Sequence, residues 1–189
     1  MPEHIISTPL QDDDIVKLRS GDRVRINGKI FTARDAAHKK LTELINIGKK
    51  LPVSLENQVI YYAGPAPAKP GYAIGPVGPT TSGRMDGYTV PLLALGLKGM
   101  IGKGPRSDEV KEGLACYGAV YFAAVGGAAA LLSRRVKSAR VAAFPELGPE
   151  AIYELEVEDF PVVVVNDKYG NDLYHDGVQN YLENERLNR

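Results

Sequence analysis

The chain has 189 residues, 44% hydrophobic and 24% charged, a length and mix suited to one soluble globular domain with a real core. Lysine plus arginine and aspartate plus glutamate both number 23, so the formal charge is zero with histidine neutral, which argues against nucleic acid or an anionic membrane as the main partner. The single cysteine, Cys116, rules out an intrachain disulfide framework and cannot by itself hold an iron–sulfur cluster or a structural zinc.

The start, Met-Pro-Glu-His-Ile-Ile, has no basic stretch followed by an apolar core, so no signal peptide is read there and a cytoplasmic location is the default expectation. Residues 1–10 are expected to extend along the surface or pair with a partner. Asp12–Asp14 favour a short helix, since carboxylates suit the positive end of its dipole. Residues 22–27 alternate polar and apolar, and Asn27-Gly28 then offers a type I′ turn into residues 29–32, which predicts a hairpin. From Thr32 to Ile47 the apolar positions Ala36, Ala37, Leu41, Leu44 and Ile45 share one helical face, and Gly48 stops the helix.

Arg34 and Asp35 fall in the first turn of that helix, where backbone N–H groups are unpaired. An arginine there opposes the helix dipole, so an anion held between Arg34 and those N–H groups would explain its placement. The alternative is a solvated arginine paired with Asp35 or a neighbour. His38, one turn later, reads as a helix-packing histidine.

Residues 53–55 and 59–63 read as strands, the second apolar enough to be central. A long glycine- and proline-rich segment, residues 64–83, follows directly, and its prolines stiffen it. Residues 86–96 predict a helix, and 99–104 a short strand ending in glycine-flanked Lys103, suited either to reaching into a site or to facing solvent at a turn. Ser107 caps a helix to Tyr117 with Val110, Leu114 and Cys116 or Tyr117 inward. The apolar run from Ala115 to Leu132 approaches membrane-spanning length, but its glycines favour a buried strand (119–124) entering a tightly packed helix (126–132). Residues 139–144, 151–157 and 161–166 complete the strands, and residues 174–189 form a polar helix or tail. The expected fold class is α/β: one domain over residues 1–189 with a mixed sheet.

The segment from Gly75 to Asp86 looks built to hold a small anion. Glycines let backbone N–H groups turn towards a ligand, Thr80, Thr81 and Ser82 offer three hydroxyls in a row, and past Gly83 the Arg84 fork matches a carboxylate or phosphate. Taken as residues alone, it is equally a surface loop whose hydroxyls cap the next helix.

The motifs Arg34-Asp-Ala-Ala-His38, Gly78-Pro-Thr-Thr-Ser-Gly-Arg-Met-Asp86, Gly102-Lys-Gly104, Gly126-Gly-Ala-Ala-Ala130, Glu146-Leu-Gly-Pro-Glu-Ala-Ile152 and Asp159-Phe-Pro-Val162 occur in this order. Together they resemble the beta subunit of class I, iron–sulfur fumarate hydratase, equivalent to the carboxy-terminal domain of the single-chain enzymes. L-tartrate dehydratase beta subunits share the pattern, which covers roughly residues 5–175. The resemblance implies a single swivelling β/β/α domain with a polar C-terminal tail. It also implies a partner alpha subunit whose three cysteines hold a [4Fe–4S] cluster, and an assembly of two alpha and two beta subunits. No metal is expected in this chain.

In that family the iron lacking a cysteine acts as a Lewis acid on the substrate hydroxyl and carboxylate. The resemblance places the catalytic threonine on Thr80, the carboxylate-binding arginines on Arg34 and Arg84, and the active-site lysine on Lys103. Thr81, Ser82 and Gly83 complete the substrate loop. Asp35 and His38 are read as support behind these residues, and Asp86 as orienting Arg84 or capping the next helix. The expected reaction is reversible hydration of fumarate to L-malate, with tartrate dehydration or a non-catalytic anion-binding regulatory module as alternatives. A stand-alone metal-free lyase would need an acid–base pair here, and His4, His38 and His175 show no metal-type spacing.

Overall fold

A computed structural model describes residues 2–187 of the chain, and among them seven strands make one sheet that closes on itself. β1 (Glu3–Thr8), β2 (Arg23–Thr32), β3 (Val59–Tyr61), β4 (Gly99–Gly102) and β5 (Val120–Ala123) run parallel, each beside the next, with the expected short helix, α1 (Asp12–Ile15), between β1 and β2. β6 (Val136–Ala143) and β7 (Ile152–Asn166) complete the order β1-β2-β3-β4-β5-β7-β6, with β7 antiparallel to β5, β6 and also β2. The ladder β2-β3-β4-β5-β7 therefore returns to β2.

Period-two alternation sorts the side chains of these strands into two cores. Ile26, Ile30, Tyr61, Ile101, Phe122, Leu155 and Phe160 meet inside the closed sheet. Ile60, Tyr62, Met100 and Tyr121 face the other way, against α2 (Asp35–Asn46), α3 (Asp86–Ala94) and α4 (Asp108–Tyr117) through Leu41, Leu92, Leu93, Val110 and Leu114. The result is a helix layer, a parallel β layer and an antiparallel β layer, the α/β arrangement expected.

The helix ends follow local chemistry. Ser107 Oγ accepts the Val110 N–H, and Gly118 ends α4 in the left-handed region at φ 60°. Val110 and Leu114 point inward as predicted, whereas Cys116 and Tyr117 are exposed.

Residues 3–8 extend along the surface as an edge strand paired with β2, with Ile6 its one buried residue. Several expectations are corrected. The Asn27-Gly28 hairpin does not form, because β2 runs straight through it. Gly28, at φ 95°, sits where the β2–β7 register shifts between Ile26 and Gly28, and Asn27 Oδ1 accepts the N–H of Asp159 at 2.9 Å. The positive φ that favours Asn-Gly in a turn here makes a β-bulge. Residues 53–55 are not a strand, since the Gln58 N–H turns back to Leu55 and that of Asn57 goes to Gly96.

The two strands expected at 151–157 and 161–166 are one, β7. It bends at Asp159 (φ 50°), so its first half pairs with β6 and its second with β5. The tightly packed helix expected from Gly126 shrinks to α5 (Ala129–Ser133): only Leu132 is buried, and Val125 and Leu131 are 70% and 65% exposed. The terminal helix α6 (Leu173–Leu187) lies where a polar helix or tail was expected. Among the described residues no helix is long and apolar enough to cross a membrane.

A Cβ at position 28 would lie 2.9 Å from Thr8 Oγ1 and 3.0 Å from its carbonyl oxygen, on top of an unfavourable φ. Gly28→Ala is expected to cost about 1–3 kcal/mol. A urea unfolding midpoint equal to wild type would refute the bulge as a constraint.

Candidate active site at the carboxyl edge of the parallel strands

Strands β2 to β5 deliver their carboxyl ends to one edge of the sheet, where parallel sheets commonly bind ligands. Arg34 follows β2, the long loop leaves β3, Lys103 follows β4, and Gly126 lies just beyond β5. The loop returns to this edge by backbone hydrogen bonds. The Thr80 N–H donates to the Tyr62 carbonyl (2.6 Å), the Lys103 N–H to Thr80 (3.3 Å) and the Ser82 N–H to Lys103 (2.8 Å). Thr81 and Lys103 are thereby paired as a parallel bridge.

That pairing depends on Gly102. A Cβ there would sit 1.9 Å from Ser82 Oγ, so only glycine leaves room for the hydroxyl. Ser82 is fully buried and bonded to the Tyr121 hydroxyl at 2.8 Å, and Tyr121 donates to the Gly104 carbonyl at 2.9 Å. Tyr121 has one proton to give, so Ser82 must donate to Tyr121. The Ser82 hydroxyl is thus an anchor under the loop. Thr81, Gly83, Arg84 and Lys103 are exposed, and Thr80 is partly so.

The two arginines each meet carboxylates. Arg84 forks onto Asp35, Nε at 2.9 Å and Nη2 at 2.6 Å. Arg34, which occupies the N-cap position of α2, lies 3.5 Å from Asp35 and 3.4 Å from Glu150. The other Glu150 oxygen accepts the Ala36 N–H at 2.9 Å. An anion does sit between Arg34 and the first turn of the helix, and it is a side chain of this protein.

Asp86 neither orients Arg84 nor caps its own helix. Its oxygens accept from Arg106 Nε (2.6 Å) and the Ser107 N–H (2.7 Å). The Arg106 side chain is wholly inaccessible; it donates to Thr89 Oγ1 (2.7 Å) and Tyr62 (3.3 Å) and lies over the Tyr62 and Tyr121 rings. His38 is buried against Tyr62 with Nδ1 3.0 Å from the Arg34 carbonyl, so Nδ1 carries the proton and Nε2 is bare.

With these residues gathered on one edge, comparison with known proteins places the chain. Residues 4–177 match the family described as Fumarase C-terminus. The chain belongs to this family. It is 44% identical over 156 residues to fumarate hydratase 2 of Leishmania major, covering 82% of this chain and 28% of that protein. Anaerobic class I fumarate hydratase of Escherichia coli K12 is 44% identical over 165 residues, 86% of this chain and 30% of that one. A putative L(+)-tartrate dehydratase subunit beta of Methanocaldococcus jannaschii is 42% identical over 173 residues, 88% of this chain and 89% of that protein. The chain thus spans under a third of these two fumarate hydratases, and nearly the whole of the tartrate subunit. The resemblance read from the motifs is borne out.

In this member of the Fumarase C-terminus family the donor set does not fit a [4Fe–4S] cluster. Its one thiol is exposed on α4, and among the described residues no three His, Cys, Asp or Glu side chains converge on a metal position. Arg106 and Glu150 are the residues that sequence reasoning missed. Arginine after Gly-Pro reads as a surface turn, and nothing local announces its burial. Glu150 lay inside a noted motif, but its partners are 114 and 116 residues away.

Burial holds the His38 imidazole down to about 4, against its hydrogen bond to Arg34. Because the folded value lies below the unfolded one, this stability is complete above about pH 6.5. It is lost as pH falls towards 4, by on the order of 3 kcal/mol. His38→Gln, which keeps a donor for the Arg34 carbonyl, is expected to narrow the difference in urea midpoint between pH 7.5 and 4.5. An unchanged difference would contradict a buried neutral histidine. Arg106→Met strands Asp86 and is expected to cost about 3–5 kcal/mol in chemical denaturation; a loss below about 1 kcal/mol would show that the pair is dispensable.

Proposed function

We propose that this chain is the beta-type half of a hydro-lyase that reversibly hydrates fumarate to L-malate, at a site shared with an iron–sulfur partner chain. The observation that carries the reading is the placement of Arg34, Thr80, Arg84 and Lys103, from three separate segments, on the carboxyl edge of the parallel strands. The family membership and the fumarate hydratases among its relatives support the reaction.

Removing water from malate takes a proton from the carbon beside one carboxylate and expels hydroxide from the next carbon. The carbon acid is weak, so charge building on the carboxylate must be met by fixed cations. Arg34 and Arg84 supply planar forks for the two ends of a dicarboxylate, with Asp35 between them orienting Arg84. Lys103 adds a mobile ammonium beside Thr81. Thr80 is assigned the moving proton; its backbone is held at both N–H and carbonyl, which sets its hydroxyl at a defined place on the edge.

The edge is open, with Arg84 half exposed. Water has to be excluded for these charges to act at full strength, so a second surface must cover them. Exposed Val125 and Leu131, close to Gly126, suit contact with such a partner. We place the [4Fe–4S] cluster on that partner because this chain's donor set does not fit one. A two-alpha, two-beta assembly in the cytoplasm, with residues 1–189 as one domain, completes the proposal. The near full-length match to a tartrate dehydratase beta subunit supports a separate subunit and makes L-tartrate the second substrate to try.

The test is anaerobic hydration of fumarate by this chain combined with a cluster-loaded partner, with L-tartrate alongside. Thr80→Ala is expected to lower kcat by about 10²-fold or more, and Arg84→Ala to lower kcat/KM by roughly 10–100-fold. Activity on tartrate alone would change the substrate. Silence with both, despite complex formation and an intact cluster, would overturn the reading.

A further inference from the structure

The Glu146–Ile152 block has no part in the reaction as derived, yet it is docked on the site. It follows Phe144, at φ 55°, and forms two short 3₁₀ pieces within Pro145–Glu150, joined by a kink at Gly148 (φ 56°), between β6 and β7. Glu146 pairs with Lys40 on α2, and Glu150 reaches the first turn of the same helix. A Cβ on Gly64 would lie 2.8 Å from the Pro149 carbonyl oxygen and 3.2 Å from Arg34 Cδ and Nη1. Arg34 therefore lies in a slot whose walls are Gly64 and the Pro149-Glu150 segment.

Within that slot the two Glu150 oxygens do different things. Oε2 accepts the Ala36 N–H at 2.9 Å and so serves as the missing cap of α2, since Arg34 at the N-cap position cannot accept a hydrogen bond. Oε1 lies 3.4 Å from Arg34 Nη2. The Arg34 side chain is 28% exposed and its Nε is buried with no hydrogen-bond partner; among the described residues its carboxylate neighbours are Glu150 and Asp35, the latter already taken by Arg84. A guanidinium placed like this would swing without a fixed anion behind it. We propose that Glu150 is a positioning residue for Arg34, holding the guanidinium against the first turn of α2 so that its free N–H groups meet a substrate carboxylate. This rests on the reading of Arg34 as a carboxylate-binding residue.

Glu150→Gln separates the two roles, because the amide keeps one oxygen for the Ala36 N–H and loses the charge facing Arg34. In the isolated chain the variant is expected to unfold at the wild-type urea midpoint, whereas Glu150→Ala unfolds earlier. Hydrogen exchange of the Arg34 Nε–H, followed by NMR, is expected to quicken about tenfold as the guanidinium loosens. In the complex with the cluster-loaded partner, Glu150→Gln is expected to raise KM for fumarate about tenfold with kcat little changed, the pattern of lost uniform binding. That effect should vanish in an Arg34→Ala background. Glu146→Gln, in the same block, should alter neither exchange nor KM. Unchanged exchange and KM in Glu150→Gln would overturn the proposal, as would an equal rise in KM with and without Arg34. If Arg34→Ala itself leaves KM untouched, the carboxylate-binding role of Arg34 fails first and this proposal falls with it.

Discussion

A buried guanidinium sets the geometry of the whole edge. The Arg106 side chain is inaccessible to water and lies against Tyr62 and Tyr121, from either side of β4, while its N–H groups go to Asp86 and Thr89 on α3 and to Tyr62. A charge in that position is tolerated only because nearly every donor has a partner and the rings supply their faces. Each partner then acts on the site loop. Tyr62 takes the Thr80 N–H with its carbonyl, Tyr121 holds the Ser82 hydroxyl, and Asp86 ties the end of the Ser82–Met85 turn to the start of α4. Loosening Arg106 would release the loop at three points at once.

The exposed half of the edge is built on another balance. Its arginines do not stand free, since Asp35 and Glu150 neutralise them without burying them. Two guanidinium groups drawn to one carboxylate would otherwise repel one another, and carboxylates at the side of each fork relieve this while leaving N–H groups outward. The two carboxylates share one support, the first turn of α2: Asp35 is its first residue, and Glu150 accepts its Ala36 N–H. The helix thus fixes the spacing of the two forks.

Much of this was legible in the residues. The Gly78–Asp86 and Gly102–Gly104 motifs do lie side by side on one edge, and the Ser107 cap, the Leu41 face and the buried Tyr61 strand follow from local pattern. Other features were illegible for definite reasons. Asn27-Gly28 encodes a positive φ, and a positive φ serves a turn or a bulge equally well; β7 lying alongside made it a bulge. Asp159 and Pro161 look like a strand break, but they bend one strand between two partners. Ser82 reads as a ligand hydroxyl until Gly102 and Tyr121 enclose it.

By itself the sequence determined the α/β class and the family, because glycine runs, hydroxyl clusters and periodic apolar positions act over a few neighbours. Which carboxylate faces which arginine was decided only by the tertiary structure. Asp86 went to Arg106, Asp35 to Arg84 and Glu150 to Arg34, pairings that join residues 20 to 116 positions apart. Ion pairing has no sequence range of its own. Its partners are chosen by the closure of the sheet and the docking of α2, which bring the charges within reach after the chain has folded.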